Sequence, residues 1–421
     1  MDILLNSGST LVIIAAVVGL FMAWGIGAND VANAMGTSVG SKALTIKQAV
    51  IIAMVFEFAG AYLAGGEVTS TIRKGIIDAS FFVDSPELLV FGMISALFAA
   101  ATWLLIASAL GWPVSTTHSI VGAIVGFAAM GVSVDAVEWS KVGGIVGSWI
   151  ITPLISGIIA FIIFNSAQKL IFDTKKPLQQ AKRWVPLYMF LAGFVLALVT
   201  IKKGLKHLDL HIGNVDGFIY AVITAVIVAI IGKVFINRLK FDESAALKTH
   251  YANVEKVFAI LMIVTACAMA FAHGSNDVAN AIGPLAAVVS IVDNGGQIAA
   301  KSTIAWWILP LGGFGIVAGL AIFGHKVMAT IGTGITHLTP SRGFAAELAA
   351  ACTVVIASGA GLPISTTQTL VGAVLGVGMA RGIAAINLGV VRNIVVSWVI
   401  TLPVGAGLSI IFFWLMKSIF A

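Results

Sequence analysis

The octapeptide GANDVANA at residues 27–34 returns as GSNDVANA at residues 274–281, 247 positions further along the chain. Seven of the eight positions are identical, and each copy follows a long apolar run. The copies bring amide and carboxyl side chains to membrane depth, where an ionisable residue is costly and marks an ion or substrate pathway. One copy would fit a helix cap, but a cap does not need two asparagines and an aspartate twice. The duplication is typical of secondary transporters that are built from repeats.

The composition indicates a polytopic membrane protein. Hydrophobic residues make up 59% of the chain and charged residues 10%, against roughly 25% charged residues in a soluble domain. The mean hydropathy of +1.05 agrees with this class. The net charge of +6 is scattered along the chain, so we expect no nucleic-acid partner. Cys267 and Cys352 both lie in apolar runs and fit no disulfide or metal pattern, and we expect no organic cofactor.

Twelve apolar segments predict an all-α fold with about twelve membrane segments. They lie near residues 10–28, 49–66, 88–110, 113–131, 142–164, 186–201, 217–236, 256–272, 302–323, 344–361, 363–381 and 390–415. Several approach the ~20 residues that an untilted helix needs to cross a bilayer. Residues 348–380 contain no Asp, Glu, Lys or Arg, but 33 residues hardly hold two crossings and a turn. We therefore predict broken or re-entrant helices there.

Charge in the loops predicts the orientation. Residues 165–185 carry Lys169, Lys175, Lys176, Lys182 and Arg183 against one aspartate, so the positive-inside rule places them in the cytoplasm. Counting segments from there puts both termini outside the plasma membrane. Five segments and a two-segment insert separate the repeats, so we expect the repeats to be inverted in topology. The predicted divisions are 1–165 for the first repeat, 166–255 for the insert and linker loops, and 256–421 for the second, inverted repeat.

A second motif pair supports the duplication. PVSTTHSIVGAIVG at residues 113–126 and PISTTQTLVGAVLG at residues 363–376 share eight of fourteen positions at an offset of 250. SWIIT at 148–152 and SWVIT at 397–401 are offset by 249. Matches within one chain establish the repeat without any comparison to other proteins.

The Pro-x-Ser-Thr-Thr motifs predict an anion site. Proline favours the first turn of a helix, where free backbone N–H groups and three hydroxyls would face a ligand at the positive end of the helix dipole. The alternative is that the hydroxyls bond to their own helix or join helices. The duplication favours the anion site, with both motifs aimed at one point.

The charges of the motifs predict a bound cation. Neither motif pair contains Lys or Arg, while each signature adds an aspartate. Oxygen-rich sites that are poor in His and Cys suit a hard cation such as Na⁺. Hydrogen phosphate can donate a proton to Asp30 or Asp277, whereas sulfate has none to give and would meet repulsion.

With these motifs the chain resembles the inorganic phosphate transporter family over nearly its whole length. The resemblance implies a phosphate symporter driven by Na⁺, or by H⁺ in some members, with twelve membrane segments and often a homodimer. The positions that match the family's motifs would form a joint site for phosphate and cation. The expected phosphate ligands are Asp30, Asn33, Ser115, Thr116, Thr117, Asp277, Asn280, Ser365, Thr366, Thr367 and Gln368. The expected Na⁺ ligands are Asn29, Asp30, Asn33, Asn276, Asp277, Asn280, Glu57 and Glu347.

Each of the two glutamates in that set occurs in one repeat alone. Glu347 corresponds to Leu97 in the other repeat, and Glu57 corresponds to Ile316 or a neighbour. Broken pseudo-symmetry fits a cation or proton site better than a scaffold role. The alternative is a glutamate that reaches an interface or pairs with an arginine, Arg73 or Arg342.

Two histidines and a glutamine complete the polar candidates. His118 and Gln368 occupy one repeat position, and either could contact an anion. His273 precedes the second signature where Ile26 precedes the first, and we expect it to serve in packing.

The function predicted from the sequence is import of inorganic phosphate by Na⁺ symport with alternating access. The nearest alternatives are a proton-coupled phosphate permease or a sulfate permease on the same scaffold. A channel would need a continuous polar lining, which the segments lack. A membrane-embedded enzyme would need a nucleophile and a base, and the second copy has Gln368 where the first has His118. The expected partners are phosphate, the lipid bilayer and a second copy of the chain.

Overall fold

The computed structural model describes residues 2–110, 112, 114–203, 212–241, 247–298, 304–324, 338–382 and 387–420. Within these ranges the chain is helical and contains no β-strand. The helices are α1 (Asp2–Asn29), α2 (Val31–Gly40), α3 (Ile46–Ala64), α4 (Gly66–Lys74), α5 (Pro86–Ala109), α6 (Thr116–Gly131), α7 (Trp139–Ala167), α8 (Pro177–Lys202), α9 (Asn214–Arg238), α10 (Leu247–Asp293), α11 (Ile308–Gly319), α12 (Pro340–Gly359), α13 (Thr366–Ala380) and α14 (Leu388–Phe420). Short π-helical turns, Gln168–Phe172 and Leu320–Gly324, extend α7 and α11.

Proline marks the start of several helices. Pro86, Pro177 and Pro340 occupy the first turns of α5, α8 and α12, where the missing N–H has no intrahelical partner to lose. At the start of α3, Thr45 and Gln48 form a capping box. These local signals divide an otherwise uniformly apolar sequence into separate helices.

The described helices confirm the predicted fold class. Nine of them are long and apolar enough to cross a membrane, and three shorter apolar helices, Thr116–Gly131, Ile308–Gly324 and Thr366–Ala380, accompany them. Each of the twelve predicted segments corresponds to one of these helices. At ~1.5 Å per residue, the 15 residues of α13 extend only about 22 Å, short of the roughly 30 Å of bilayer hydrocarbon. This length agrees with the expected half-helices, whereas their re-entrant course stays a prediction.

Two predicted boundaries were wrong. The segment predicted at 256–272 is part of α10, which continues through the second signature to Asp293, because its polar side chains are buried against neighbouring helices. The basic loop predicted at 165–185 is reduced to residues 173–176 between the π-helical turn and α8. Lys182 and Arg183 therefore lie in the first turns of α8 rather than in a loop.

The repeats exchange contacts with each other. The short helix α6 packs on α14, and the short helix α13 packs on α7. A side chain at Gly122 would meet the backbone of Leu402, and one at the repeat-equivalent Gly372 would clash with the backbone of Pro153. Each glycine thus permits a short helix to approach the last helix of the other repeat closely. The two halves interlock, and the division at 165 and 255 stays a prediction from sequence.

Candidate functional site

The two signatures meet inside the protein. Ligand atoms of Asp30, His273 and Asp277 all lie within 4.8 Å of one another, and all three residues are buried. The first signature lies at the junction of α1 and α2, where Asp30 keeps helical backbone angles and donates its N–H to the carbonyl of Ile26 at 2.8 Å. The second lies within the helix α10. The predicted convergence of the two motifs is therefore present in the fold, with both copies on helical backbone.

Both Ser-Thr-Thr triplets lie at helix N-termini. Ser115 and Ser365 are the N-caps of α6 and α13, and each hydroxyl accepts a backbone N–H three residues ahead at 3.3 Å. Thr116 and Thr366 are the first helical residues. The expectation that proline occupies the first turn was wrong for Pro363, which lies three residues before α13 because an extended Ser365 intervenes. Pro113 lies outside the described residues.

The threonines connect the aspartates to these N-termini. Thr366 donates its hydroxyl to Asp277 Oδ2 at 2.8 Å, and Thr116 makes the corresponding hydrogen bond with Asp30. Asn280 Nδ2 donates across the repeats to the hydroxyls of Thr116 and Thr117, at 3.2 and 3.1 Å. The aspartates and both helix N-termini therefore form one connected polar cluster. Thr367 is also buried in the first turn of α13.

The asparagines that precede the aspartates donate hydrogen bonds to other parts of the chain. Asn29 Nδ2 donates to Ser108 Oγ at 2.7 Å, and the equivalent Asn276 Nδ2 donates to Ser358 Oγ at 3.0 Å. Asn276 also donates to the carbonyl of Leu362 at 3.1 Å. These bonds position the signatures against the ends of α5 and α12. The side chain of Asn33, predicted as a ligand, lies outside the described part of the structure.

His273 was wrongly assigned to packing. Its Nδ1 lies 2.8 Å from Glu57 Oε2, and its Nε2 lies 3.1 Å from Asp277 Oδ2. All three side chains are buried. The imidazole therefore bridges two carboxylates, and Glu57 does not pair with Arg73 among the described contacts. The available sequence signal was the polar residue directly before the second signature, where the first copy has isoleucine.

Among the described residues, the first signature lacks such a bridge. A side chain at Gly27 would clash with the backbone of Ile316, and one at the equivalent Gly274 would clash with the backbone of Glu57. These matched contacts establish that Ile316 is the counterpart of Glu57. Ile26, the counterpart of His273, is likewise fully buried. An apolar pair in one repeat thus replaces a charged pair in the other.

Glu347 occupies a separate polar cluster. Its Oε1 accepts hydrogen bonds from Thr37 and from Ser38 Oγ, the latter at 2.6 Å, and its Oε2 accepts from Thr265 Oγ1 at 2.7 Å. The carboxylate is fully buried, and these hydroxyls come from α2 and α10. Among the described residues, its hydrogen-bond partners are hydroxyls rather than Arg342. The counterparts in the other repeat are apolar: Leu97, Val18, Pro284 and Leu285.

The position shared by His118 and Gln368 is buried between the repeats. The His118 ring stacks on Trp149, with 3.9 Å between ring centroids, and its Nδ1 lies 3.4 Å from the carbonyl of Trp398. Gln368 is its polar neighbour on α13. His118 therefore contacts two tryptophans. Gln368 lies in the first turn of α13.

The side-chain oxygen atoms of this cluster suit a hard cation. Among the described residues, the buried atoms Asn276 Oδ1, Asp277 Oδ1 and Asn280 Oδ1 have no hydrogen-bond partner. A buried oxygen without a partner costs about 1–3 kcal/mol, and coordination to a cation would satisfy it. Carboxylate, amide and hydroxyl oxygens are the ligands that hard cations prefer. The same cluster offers an anion the hydroxyls and free N–H groups of two helix N-termini.

The chain is similar to known phosphate transporters in sequence and in fold. A model of the phosphate transporter family matches residues 26–409. A candidate phosphate permease of Haemophilus influenzae is 59% identical over the full length of both chains. The chloroplastic inorganic phosphate transporter 2-1 of Arabidopsis thaliana is 44% identical, over 95% of this chain and 71% of the relative. A solved structure described as the sodium-dependent phosphate transporter superposes with a TM-score of 0.90 at 42% identity, covering 97% of this chain and all of that one. This chain belongs to the phosphate transporter family.

Proposed function

We propose that the chain imports inorganic phosphate together with Na⁺, and that phosphate binds between the N-termini of α6 and α13. The observation that carries the proposal is the meeting of Asp30 and Asp277 beside both Ser-Thr-Thr turns. Two helix N-termini supply hydroxyls and backbone N–H groups to the anion. The aspartates accept the proton of hydrogen phosphate, which sulfate lacks. In this arrangement the phosphate ligands are the residues predicted from the sequence.

The electrostatics of the site require cations. Phosphate would share the cluster with two buried aspartates, and helix dipoles contribute only about half a charge each. The imidazole of His273 is the basic group in the cluster, and both of its nitrogens face carboxylates. Na⁺ held by Asp30, Asp277 and the amide oxygens of Asn276 and Asn280 would supply the missing positive charge.

A further Na⁺ would bind at Glu347. The carboxylate and the hydroxyls of Thr37, Ser38 and Thr265 present oxygen atoms of four residues from three helices. A buried carboxylate is costly without compensation, and a cation there would join α2 of the first repeat to α10 and α12 of the second. Cation binding would thus depend on how the repeats are arranged, as coupled transport requires.

Alternating access would come from one repeat rocking against the other around this central site. Inverted topology of the repeats follows if five membrane segments of the first repeat and the two helices of the insert, α8 and α9, precede the second. Whether α5 and α6 cross or re-enter does not alter this parity, because either course returns the chain to the same side. The termini would then lie outside the plasma membrane, and the transporter would work as a homodimer.

Proton coupling is the second candidate, and the bridge between Glu57 and Asp277 favours it. An imidazole between two carboxylates can carry a proton in place of a bound cation. This alternative predicts that phosphate uptake follows a pH gradient and persists without Na⁺. The counterpart isoleucines leave the first signature with no equivalent group.

Uptake of labelled phosphate into proteoliposomes tests the proposal. We expect an inward Na⁺ gradient at equal pH to drive accumulation, and replacement of Na⁺ by choline to abolish it. Excess sulfate should compete poorly. Accumulation driven by a pH gradient in choline would instead establish proton coupling, and equal competition by sulfate would contradict the role given to the aspartates.

A further inference from the structure

An apolar groove separates the insert from the rest of the protein. It has a volume of about 350 Å³ and runs between α8, α9 and α10, with Phe56 of α3 at one side. Ala192, Gly232 and Ala268 form its buried floor, while Ile231 at its rim is 50% exposed. Every lining residue is apolar or a glycine except Cys267, whose thiol is a weakly polar group. The groove therefore opens from the protein interior towards the surrounding membrane.

The chemistry of the groove selects a hydrocarbon occupant. An apolar cavity does not hold water, because water there would lose its hydrogen bonds. An empty cavity would forfeit dispersion contacts along its whole lining. Bilayer lipid surrounds this face, and a flexible acyl chain can follow a groove between helices.

One end of the groove carries positive charge on all three of its helices. On α8, Lys182 lies three helical turns before Gly193 and on the same face. On α9, Arg238 is one turn beyond Phe235, and on α10, Lys256 is one turn before Ile260. We call these three cations the basic end of the groove.

Two contacts support this arrangement. Lys182 Nζ lies 4.2 Å from the ring centre of Phe241, directly after α9, so the start of α8 adjoins the end of α9. Glu255, the acidic neighbour of Lys256, directs its carboxylate to the backbone N–H and the hydroxyl of Ser341, at 2.8 and 2.6 Å. Among the described residues it therefore forms no ion pair with Lys256, whose ammonium group stays available to a headgroup.

We propose that an anionic phospholipid binds here, with one acyl chain in the groove and its phosphodiester at the basic end. The groove alone would accept the chain of any lipid, and the basic end adds the preference for an anionic headgroup. The lipid would fill the contact between the insert helices and α10. This site is distinct from the proposed phosphate site and does not depend on it.

Native mass spectrometry of the full chain tests the headgroup. The protein is equilibrated with phosphatidylglycerol or phosphatidylcholine of the same acyl chains, and the retained lipid is counted. We expect phosphatidylglycerol to be retained preferentially. Each basic residue near an anionic lipid contributes roughly fivefold in binding, so Lys182→Gln with Arg238→Gln should lower that retention about tenfold or more. Lys202→Gln with Lys203→Gln, at the opposite end of α8, is the matched control and should leave it unchanged.

The two cysteines test the groove. Cys267 lines it, whereas Cys352 lies on α12 outside it. Cys267→Phe should remove retained lipid whatever its headgroup, and Cys352→Phe should not. Monodisperse elution of both variants verifies folding, and if Cys267→Phe fails that check, Cys267→Leu, which fills less space, takes its place. Equal retention of both lipids by the wild type, equal losses from the two pairs of Gln substitutions, or full retention in the groove-filling variant would each overturn the proposal.

Discussion

The two copies of the signature differ in one residue of eight, yet their surroundings are unequal. Around the second copy, His273 lies between Glu57 and Asp277. Around the first, the counterparts Ile26 and Ile316 are buried and apolar.

This difference predicts that the two copies of the signature have different roles. Both aspartates accept a hydrogen bond from a threonine hydroxyl at the neighbouring helix N-terminus, so the shared motif would serve the proposed ligand between them. His273 forms its ion pair with Asp277 at 3.1 Å, while Asp30 lies within 4.8 Å of it without such a pair in that geometry. The demand for a bound cation should therefore be greater at Asp30, and four sets of substitutions test this comparison.

The largest effect is expected from His273→Ile, which places the residue of the first copy in the second. Glu57 and Asp277 would remain buried without the group that bridges them, and breaking a buried ionic network in this way costs about 3–5 kcal/mol. Denaturant unfolding in detergent measures the loss. Ile26→Val, at the counterpart position, is the control and should cost only about 0.5–1.5 kcal/mol. Equal losses would mean that the bridge contributes little to stability.

Substitution of each aspartate by asparagine tests the proposed phosphate site. Asp30→Asn and Asp277→Asn should each weaken phosphate binding by about 1.5–3 kcal/mol, the range for a hydrogen bond to a charged group. Sulfate binding should suffer less, because repulsion is removed. The Na⁺ dependence of binding, followed by titration at constant pH, should fall further in Asp30→Asn. Identical Na⁺ dependence in both variants would contradict the unequal demand for a cation.

The threonines test whether the two turns share one ligand. Thr116→Val and Thr366→Val each remove one hydroxyl from an anion that keeps its other donors, so we expect losses of about 1–2 kcal/mol in phosphate binding. Thr116→Val should be the more harmful, because Asn280 also donates to that hydroxyl. The double variant should deviate from additivity. Clean additivity would separate the two turns into independent sites.

The smallest effect on stability is expected from Glu57→Ile combined with His273→Ile. Replacing a buried ionic pair by apolar residues of similar volume is often neutral, so the double variant should unfold within about 1 kcal/mol of the wild type. It gives Asp277 the surroundings of Asp30, so phosphate uptake should depend more steeply on Na⁺ concentration. A double variant as unstable as His273→Ile alone would show that Asp277, and not Glu57, needs the imidazole.

Much of the fold could be predicted because its signals are local. Apolar segments, helix-starting prolines and duplicated motifs are each contained in a short stretch, so all twelve segments were found. The convergence of the signatures followed from the duplication. Asp277 lies one helical turn after His273 and could have been identified as a partner from the sequence, whereas Glu57 is 216 positions away. An isolated histidine in an apolar run does not reveal so distant a partner. Glu347 was identified as functional, but not its hydroxyl partners on α2 and α10.

The sequence by itself determined that this chain is a helical membrane protein of two repeats, and it identified the polar residues that the repeats duplicate. Hydrophobic segments and repeated motifs suffice for that, because the bilayer admits few architectures. Only the tertiary structure decided which buried charges meet. A carboxylate at membrane depth needs a donor or a cation. His273 lies one turn before Asp277 on α10, and packing of α3 against α10 brought Glu57 to that histidine. The ion pair that distinguishes the second signature therefore depends on a contact between distant segments, which neither motif encodes.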